Sequence, residues 1–180
     1  MKTNENLATA FAGESQANRK YLCFAAQAEK EGFTSAARLF RATAEAETIH
    51  AFAEFKAKGG IGTTAENLVA AKEGETYEFT EMYPPMIEDA KAEGNNEAAR
   101  IFHYANEAEK VHARLYDEAL ANLGNEPEGQ DYYLCPICGY IHKGKESTSP
   151  CPICGAKPSI FKKYRPMEHL CPDWWRIWQI

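Results

Sequence analysis

A chain of 180 residues is long enough for one full domain and a second, smaller one. Its formal net charge of −6 argues against binding to nucleic acid or to an anionic membrane surface. The sequence has no run that approaches the ~20 apolar residues of a membrane-spanning helix. Its first residues lack the layout of an export signal, so we expect a cytoplasmic protein without a membrane partner.

Four long helical patterns occupy the first two thirds of the chain. They cover residues 4–31, 34–58, 65–93 and 96–123, with Asn4 and Thr64 as predicted caps. The proline pair Pro84-Pro85 predicts a kink in the third helix, because proline removes a backbone donor and clashes with the preceding turn. Helices of this length are typical of a four-helix bundle, so the predicted fold is mainly α.

The middle of the bundle is a repeat. Residues 31–50 recur at residues 93–112 with an offset of 62, and each copy ends in Glu-x-x-His. The two pairs are Glu47 with His50 and Glu109 with His112. Two such pairs on facing helices, with further glutamates on the other two helices, are the ligand pattern of a dimetal site inside a bundle.

The helices that precede the two copies also correspond to each other, but with a shift of one residue. Tyr21 precedes Tyr83 by 62 positions, whereas Glu14 precedes Glu75 by 61. The third helix therefore holds one extra residue between Glu75 and Tyr83, which predicts a π-bulge there. Glu78, three residues after Glu75, lies on the same helix face and becomes an additional carboxylate.

The candidate ligands are therefore five carboxylates and two imidazoles. They are Glu14, Glu47, His50, Glu75, Glu78, Glu109 and His112. Any one of these glutamates alone would be interpreted as part of a solvated helix face, but the matched pairs favour a shared site. Because five carboxylates cannot remain ionised in a core without cations, we expect two metal ions. Oxygen and imidazole donors suit iron or manganese.

Two tyrosines lie about two helical turns beyond the glutamates on the first and third helices. Tyr21 follows Glu14 by seven residues, and Tyr83 follows Glu75 by eight. A phenol at either position could donate a hydrogen bond to a ligand carboxylate. An aromatic packing role explains the two tyrosines equally well.

The C-terminal third contains a cysteine module. Two C-P-I-C-G sequences supply Cys135, Cys138, Cys151 and Cys154, a spacing that suits a tetrahedral site for zinc or one iron. The glycine after each pair permits a tight turn whose N–H groups point at the sulfurs. Short β-like runs flank the first pair. The predicted segments are a bundle at 1–124, a linker at 125–131, the metal domain at 132–164 and a tail of unknown role at 165–180. Cys23 and Cys171 have no assigned role.

Residues 4–164 resemble rubrerythrin. The resemblance is carried by Gly13-Glu14, the two Glu-x-x-His pairs, the run from Gly74 through Glu78 to Tyr83, and the two C-P-I-C sequences. It implies a ferritin-like four-helix bundle with an oxo- and carboxylate-bridged diiron site. A small β-rich rubredoxin-like domain holding one further iron would follow, with zinc as the alternative metal. The tail is a departure from the family pattern.

The resemblance also implies an activity. Rubrerythrins are NAD(P)H-linked peroxidases that reduce hydrogen peroxide to water in oxidative-stress defence. Their electrons come from rubredoxin or a flavoprotein reductase through the rubredoxin-like iron. The family forms homodimers, in which one subunit's rubredoxin-like domain serves the partner's diiron site, and exchange of helix pairs between subunits is compatible with the connection at 59–64. An iron-handling ferroxidase, and a structural zinc site in the cysteine module, remain alternatives.

Roles for individual ligands follow from the same resemblance. Glu14 and Glu75 would be terminal ligands, Glu47 and Glu109 would bridge, and His112 would stay on one iron. The other iron would exchange Glu78 for His50 as the oxidation state changes. The residues implied in catalysis are Glu78, His50, Tyr21 and Tyr83.

Overall fold

The computed structural model describes residues 1–125 and 130–164. The expectations for the tail at 165–180, for Cys171 and for most of the linker lie outside the described residues. The described chain forms two compact units, one of residues 1–62 and one that begins at Thr63. No helix in the described part of the chain is long and apolar enough to cross a membrane.

The first unit is a hairpin of two long helices, α1 (Lys2–Lys30) and α2 (Thr34–Ala57). The tight turn between them uses Gly32 at φ +85°, a conformation that glycine adopts without strain. The predicted cap at Asn4 is wrong, because α1 already begins at Lys2. In the described part of this unit the fully buried side chains are alanines, which let the two backbones approach closely. They are Ala25, Ala28, Ala37, Ala44 and Ala51.

The second unit begins with α3 (Thr64–Tyr77), a π-helix (Glu78–Met82) and α4 (Tyr83–Ala92), followed by α5 (Asn96–Ala121). The predicted π-bulge is confirmed. It absorbs the extra residue of the repeat, and the proline pair sits in the first turn of α4, where missing N–H donors cost little. The cap of α3 is Thr63, one residue before the predicted position, in a reciprocal capping box with Glu66.

The cysteine module follows as a small antiparallel sheet. Its strands are β1 (Asp131–Leu134), β2 (Ile141–Gly144) and β3 (Lys162–Tyr164), in the order β2-β1-β3. The predicted β-like runs correspond to β1 and β2. The third strand lacks the alternating apolar pattern of a half-buried strand, so the sequence alone did not indicate it. The mainly α class with a small β-rich metal domain is confirmed.

Candidate metal centres

The first unit brings three candidate ligands together, which we call the first half-site. Glu14 on α1 and Glu47 and His50 on α2 each place one donor atom within 4.8 Å of the others. His50 Nδ1 lies 3.0 Å from Glu47 Oε2 and 3.8 Å from Glu14 Oε2. The side chain of His50 is 57% exposed, whereas that of Glu47 is 17% exposed, so the imidazole is the less constrained donor.

The second unit contains the equivalent second half-site. Glu75 on α3 and Glu109 and His112 on α5 also lie within 4.8 Å of one another. His112 Nδ1 is 2.6 Å from Glu109 Oε2 and 3.7 Å from Glu75 Oε1. The repeat thus places the same three residue types at corresponding positions in both units. Their role as ligands remains a prediction, which the donor chemistry supports.

The carboxylates of each half-site are close enough to compete for protons. A hydrogen bond with Glu47 raises the pKa of Glu14, and burial followed by a hydrogen bond with Glu109 raises the pKa of Glu75 to about 7. Burial opposes charge on Glu109, but hydrogen bonds with His112 and Glu75 hold its pKa below the usual range. A bound cation would replace these shared protons, so the donor set fits a metal.

These shifts predict how the stability of the metal-free protein depends on pH. Because the pKa of Glu75 is about 7 in the folded state and near 4.5 when unfolded, folding takes up a proton between those values. His112 acts in the same direction, since burial opposes its charge but hydrogen bonds to Glu109 and Gly139 raise its pKa. The free energy of unfolding should therefore fall as pH rises from about 5 to about 8, by up to about 3 kcal/mol from Glu75.

Urea denaturation of metal-free protein at pH 5.5 and pH 8 measures this effect. The matched control is Glu75→Gln, which removes the titrating group and should flatten most of the dependence. If the free energy of unfolding changed equally between pH 5.5 and pH 8 in the two proteins, the raised pKa of Glu75 would be contradicted. Iron binding should show the opposite trend and tighten as pH rises, because the ligands must lose their protons.

Glu78 and Tyr83 lie at the edge of the second half-site. Glu78 is outside the group of three donors, but burial and the charge of Glu109 raise its pKa, so the two carboxylates are close. Burial and the charge of Glu78 likewise raise the pKa of the Tyr83 phenol. Glu78 thus lies within electrostatic reach of Glu109, and Tyr83 within reach of Glu78, while the role of Glu78 as a metal ligand remains a prediction.

Tyr21 and Tyr83 keep corresponding aromatic partners in the two units. The ring centroids of Tyr21 and Phe40 are 6.3 Å apart, and those of Tyr83 and Phe102 are 6.2 Å apart. Each pair is related to the other by the 62-residue offset. Aromatic packing is thus present at both tyrosines, and at Tyr83 burial, followed by the charges of Glu78, Glu109 and Glu75, also raises the pKa of the phenol.

One residue of the second half-site escaped the sequence interpretation. Burial, followed by the charges of Glu75 and Glu109, raises the pKa of the Tyr116 phenol, so this phenol lies within electrostatic reach of both carboxylates. The repeat partner of Tyr116 is Glu54. Tyr116 lies seven residues after Glu109, on the same face of α5, and this spacing could have indicated that it approaches the site.

The four cysteines of the module converge as predicted. The Sγ atoms of Cys135 and Cys154 are 3.6 Å apart, and those of Cys138 and Cys151 are 3.5 Å apart. Four thiolates at about 2.3 Å from one ion would lie about 3.8 Å from each other in a tetrahedron, so the cluster fits zinc or iron. Tyr140, Ile153 and Phe161 pack against the cluster and shield it from solvent.

Two matching turns hold the sulfurs. The Gly139 N–H donates to the Cys135 carbonyl at 3.1 Å, and the Gly155 N–H donates to the Cys151 carbonyl at 2.9 Å. Both glycines have positive φ, as the predicted turns require. Burial opposes charge on the Cys135 thiol, but N–H donors from Ile137 and Cys138 lower its pKa and favour the thiolate that binds metal.

The module packs against α5 through residues spaced four apart. His112 Nε2 lies 2.9 Å from the Gly139 carbonyl oxygen, directly after Cys138 in the chain. One turn earlier on α5, Ala108 faces Gly139: a methyl group added at Gly139 would lie 3.8 Å from Ala108 Cβ. Tyr104, a further turn back, packs against the cysteine cluster. Because the carbonyl oxygen only accepts, Nε2 carries a hydrogen. Nδ1 then donates to Glu109 when the ring is protonated, and offers its lone pair to a metal when the ring is neutral.

An ion pair extends this contact to β2. Lys143 Nζ lies 3.1 Å from Glu118 Oε2, and the Lys143 side chain is only 19% exposed. Sequence reasoning missed both this pair and Tyr104. The repeat could have indicated Tyr104. The corresponding residue of the first copy is Ala42, so the large aromatic side chain is specific to the copy that packs against the cysteine cluster.

Comparison with known proteins agrees with this geometry. The family model described as Rubrerythrin matches residues 5–120, and the one described as Rubrerythrin, rubredoxin-like domain matches residues 133–162. The chain is 40% identical over 176 residues to nigerythrin of Nitratidesulfovibrio vulgaris, with coverage of 90% of this chain and 86% of the relative. It is 38% identical to a rubrerythrin of Porphyromonas gingivalis, with coverage of 89% of both chains.

Solved structures give the same result. The structure titled "Partially Reduced State of Nigerythrin" matches with a TM-score of 0.56 at 40% identity, covering 90% of this chain and 86% of that one. A fully reduced, all-ferrous state of nigerythrin matches with the same TM-score at 39% identity and the same coverage. With its paired carboxylate–histidine half-sites and four-cysteine module, the chain belongs to the rubrerythrin family.

Proposed function

We propose that this protein is an NAD(P)H-linked diiron peroxidase that reduces hydrogen peroxide to water. The observation that carries the proposal is the hydrogen bond between His112 and the Gly139 carbonyl at 2.9 Å. It joins a ligand of the second half-site to the residue next to Cys138. A path of one peptide unit and one hydrogen bond thus leads from the four-cysteine site to the carboxylate–histidine site.

In the proposed enzyme, a diiron site would take its donors from both kinds of half-site. Its iron would provide the two electrons that, with two protons, convert one hydrogen peroxide to two water molecules. Glu14, Glu47, Glu75 and Glu109 would supply the negative charge that holds the cations. Glu78 and His50 suit the role of exchanging donors, because Glu78 is outside the group of three but within electrostatic reach of Glu109, and His50 is largely exposed.

The contact with the module favours a peroxidase over an iron-handling ferroxidase. Iron storage does not need a one-electron relay, whereas repeated peroxide reduction needs a route by which electrons are replaced. The cysteine geometry suits zinc as well as iron, so metal analysis decides between a relay and a structural site. Rubredoxin or a flavoprotein reductase as donor, a homodimer and a cytoplasmic role in oxidative-stress defence belong to the same proposal.

The resemblance implied that the rubredoxin-like domain serves the partner's diiron site. In this chain the module contacts His112 of the same chain. We therefore propose that electrons enter the second half-site from the module of its own chain.

Stopped-flow mixing of fully reduced protein with hydrogen peroxide tests the relay. The visible band of the oxidised four-cysteine iron should return after peroxide is consumed, because its electron leaves through His112. Lys143→Ala removes the ion pair with Glu118 and should slow this return by up to about fivefold, since a partly exposed ion pair contributes up to about 1 kcal/mol.

The matched control is Lys145→Ala, which removes the same charge from an exposed position. Iron content should be unchanged in both variants. A wild-type protein whose band does not return after peroxide would contradict the peroxidase proposal, and a colourless module containing zinc would favour the structural alternative.

A further inference from the structure

We infer that the side-chain oxygen of Asn106 is a binding point for hydrogen peroxide beside the second half-site. This oxygen accepts a hydrogen bond from the substrate and so favours peroxide over dioxygen. The inference rests on the proposed peroxidase function, and it adds a residue of this chain that binds and selects the substrate.

Asn106 is a buried amide with one unused group. It lies on α5, three residues before Glu109, and only 7% of its surface is exposed. Nδ2 donates to Glu107 Oε1 at 3.3 Å, whereas Oδ1 is buried and has no hydrogen-bond partner among the described residues. Exchanging the two amide atoms would point Oδ1 at the Glu107 carboxylate, and two acceptors repel, so the acceptor at position 107 fixes the orientation. Because glutamine also offers an accepting oxygen, a Glu107→Gln variant retains this orientation.

An unused acceptor of this kind requires a donor. A buried amide oxygen has lost its hydrogen bonds with water, and this loss is offset only when a donor reaches the oxygen. Buried polar groups in folded proteins therefore nearly always have a partner, from the protein or from an ordered small molecule. Because the described residues supply no donor at Asn106, its oxygen is suited to a small molecule that carries one.

Contacts on either side place Asn106 opposite the π-helix. One turn earlier on α5, the ring of Phe102 lies 6.2 Å from that of Tyr83. One turn later, Glu109 lies within electrostatic reach of Glu78. Glu78 and Tyr83 bound the π-helix, which closes with a hydrogen bond from the Tyr83 N–H to the Glu78 carbonyl. Since positions 102, 106 and 109 share one face of α5, Asn106 lies between these two contacts.

The first unit carries a different arrangement at the corresponding position. The repeat partner of Asn106 is Ala44, which is 1% exposed. The amide in contact with this position is Asn18 on α1, whose Nδ2 donates to the Ala44 carbonyl at 2.6 Å and to Thr48 Oγ1 at 2.9 Å. In the copy that contains the π-helix, the amide is instead on the second helix of the hairpin, and its oxygen is left for another partner.

Hydrogen peroxide has the properties that this position requires. It is small and neutral, and it carries two O–H donors, one of which can bond to Asn106 Oδ1. The amide is neutral and does not take up the proton, so it holds the substrate without ionising it. Dioxygen has no hydrogen to donate and gains nothing from the same oxygen. Water can also donate, so peroxide has to displace a water from this point.

A crystal structure of the zinc-substituted protein soaked in hydrogen peroxide tests the binding point directly. Zinc has no redox chemistry, so peroxide can bind without being consumed at the bundle site. The expected result is a two-atom density with one oxygen about 2.8 Å from Asn106 Oδ1. A protein donor bonded to Oδ1, from this chain or a second copy, would overturn the inference. A water that peroxide does not displace, or an oxygen still without a partner after soaking, would do the same.

Stopped-flow oxidation of the reduced iron protein tests the selectivity. Oxidation of the bundle site is followed with peroxide and, separately, with dioxygen, and the two second-order rate constants are compared. Asn106→Leu removes the acceptor and nearly keeps the side-chain volume, so the rate constant with peroxide should fall by about three- to tenfold, the equivalent of one neutral hydrogen bond. The rate constant with dioxygen should stay within about twofold of wild type, because dioxygen donates no hydrogen bond.

A second variant and a control complete the comparison. Asn106→Ala removes the same acceptor and introduces the residue found at the corresponding position of the first copy, so it decides alone if Asn106→Leu loses its bundle iron. Asn96→Ala is the matched control, because Asn96 is an exposed amide at the start of α5. Its two rate constants and its bundle iron should equal those of the wild type.

The outcomes separate this inference from the proposed function. Equal losses with peroxide and dioxygen would show that Asn106 has only a structural role, and unchanged rate constants would show no role, so either result overturns the inference. A loss of selectivity in Asn106→Leu but not in Asn106→Ala would identify added bulk as the cause and also overturns it. A wild-type protein that peroxide does not oxidise contradicts the proposed peroxidase, and the soaked crystal then still decides whether Asn106 binds peroxide.

Discussion

Replacing Glu109 by glutamine is expected to remove the bundle iron and to reduce peroxide turnover by more than about 100-fold. Residues that only orient a metal ligand change affinity or activity by about 10- to 100-fold, so loss of a direct ligand should exceed that range. Glu109 lies between Glu75 and His112, and its side chain is 16% exposed. A neutral amide in its place cannot balance the charge of two cations.

Metal analysis and a peroxide assay on the purified variant measure this effect. The four-cysteine iron should remain, and with it the visible colour of the protein. Glu107→Gln is the matched control, because Glu107 lies two residues away on α5 in an ion pair with Lys110 at 2.5 Å. An exposed pair of this kind contributes little, so the control should retain both iron and activity. A variant of Glu109 that keeps its bundle iron would contradict the ligand assignment.

Replacing Cys154 by serine is expected to separate the two halves of the reaction. The change removes a thiolate from the four-cysteine site but leaves the turn from Cys135 to Gly139, which contacts His112. A single oxidation of the reduced bundle site by peroxide should proceed near the wild-type rate. Turnover with a reductase should fall by about two orders of magnitude, because electrons no longer enter through the cysteine-bound metal.

Rapid mixing of the chemically reduced variant with peroxide, followed by a steady-state assay with NADH and a reductase, gives the two rates. Cys23→Ser is the matched control, since Cys23 is an exposed cysteine on α1. It should behave as wild type in both measurements. Unchanged steady-state turnover in Cys154→Ser would show that the module is not the entry point for electrons.

The sequence predicted most of the candidate site because the bundle is built from a duplication. The shared offset of 62 identified Glu47 with His50 and Glu109 with His112 as matched pairs, and one-dimensional spacing is sufficient to place an i, i+3 pair on one helix face. The same comparison exposed the single extra residue near Glu78. A regular α-helix cannot absorb one residue, so the confirmed π-helix followed from the one-residue shift alone.

The errors at helix ends have a local cause. Thr63 and Thr64 are both acceptable caps by residue type, and only the backbone conformation decided for Thr63. The sequence identified Tyr21 and Tyr83 as repeat partners but left aromatic packing and a contact with a carboxylate equally open; the structure shows packing at both and places the Tyr83 phenol within electrostatic reach of Glu78 and Glu109. That proximity depends on how the π-helix turns Glu78 and Tyr83 relative to α5.

Spacing along helices and turns was enough to identify the candidate donors, which are two Glu-x-x-His pairs, additional glutamates and four cysteines. The contact of the cysteine module with α5 through Tyr104, Ala108 and His112 was visible only in the folded chain. That contact joins residues about 27 positions apart through a backbone carbonyl. A carbonyl belongs to every residue type, so no pattern of side chains could have identified Gly139 as the acceptor.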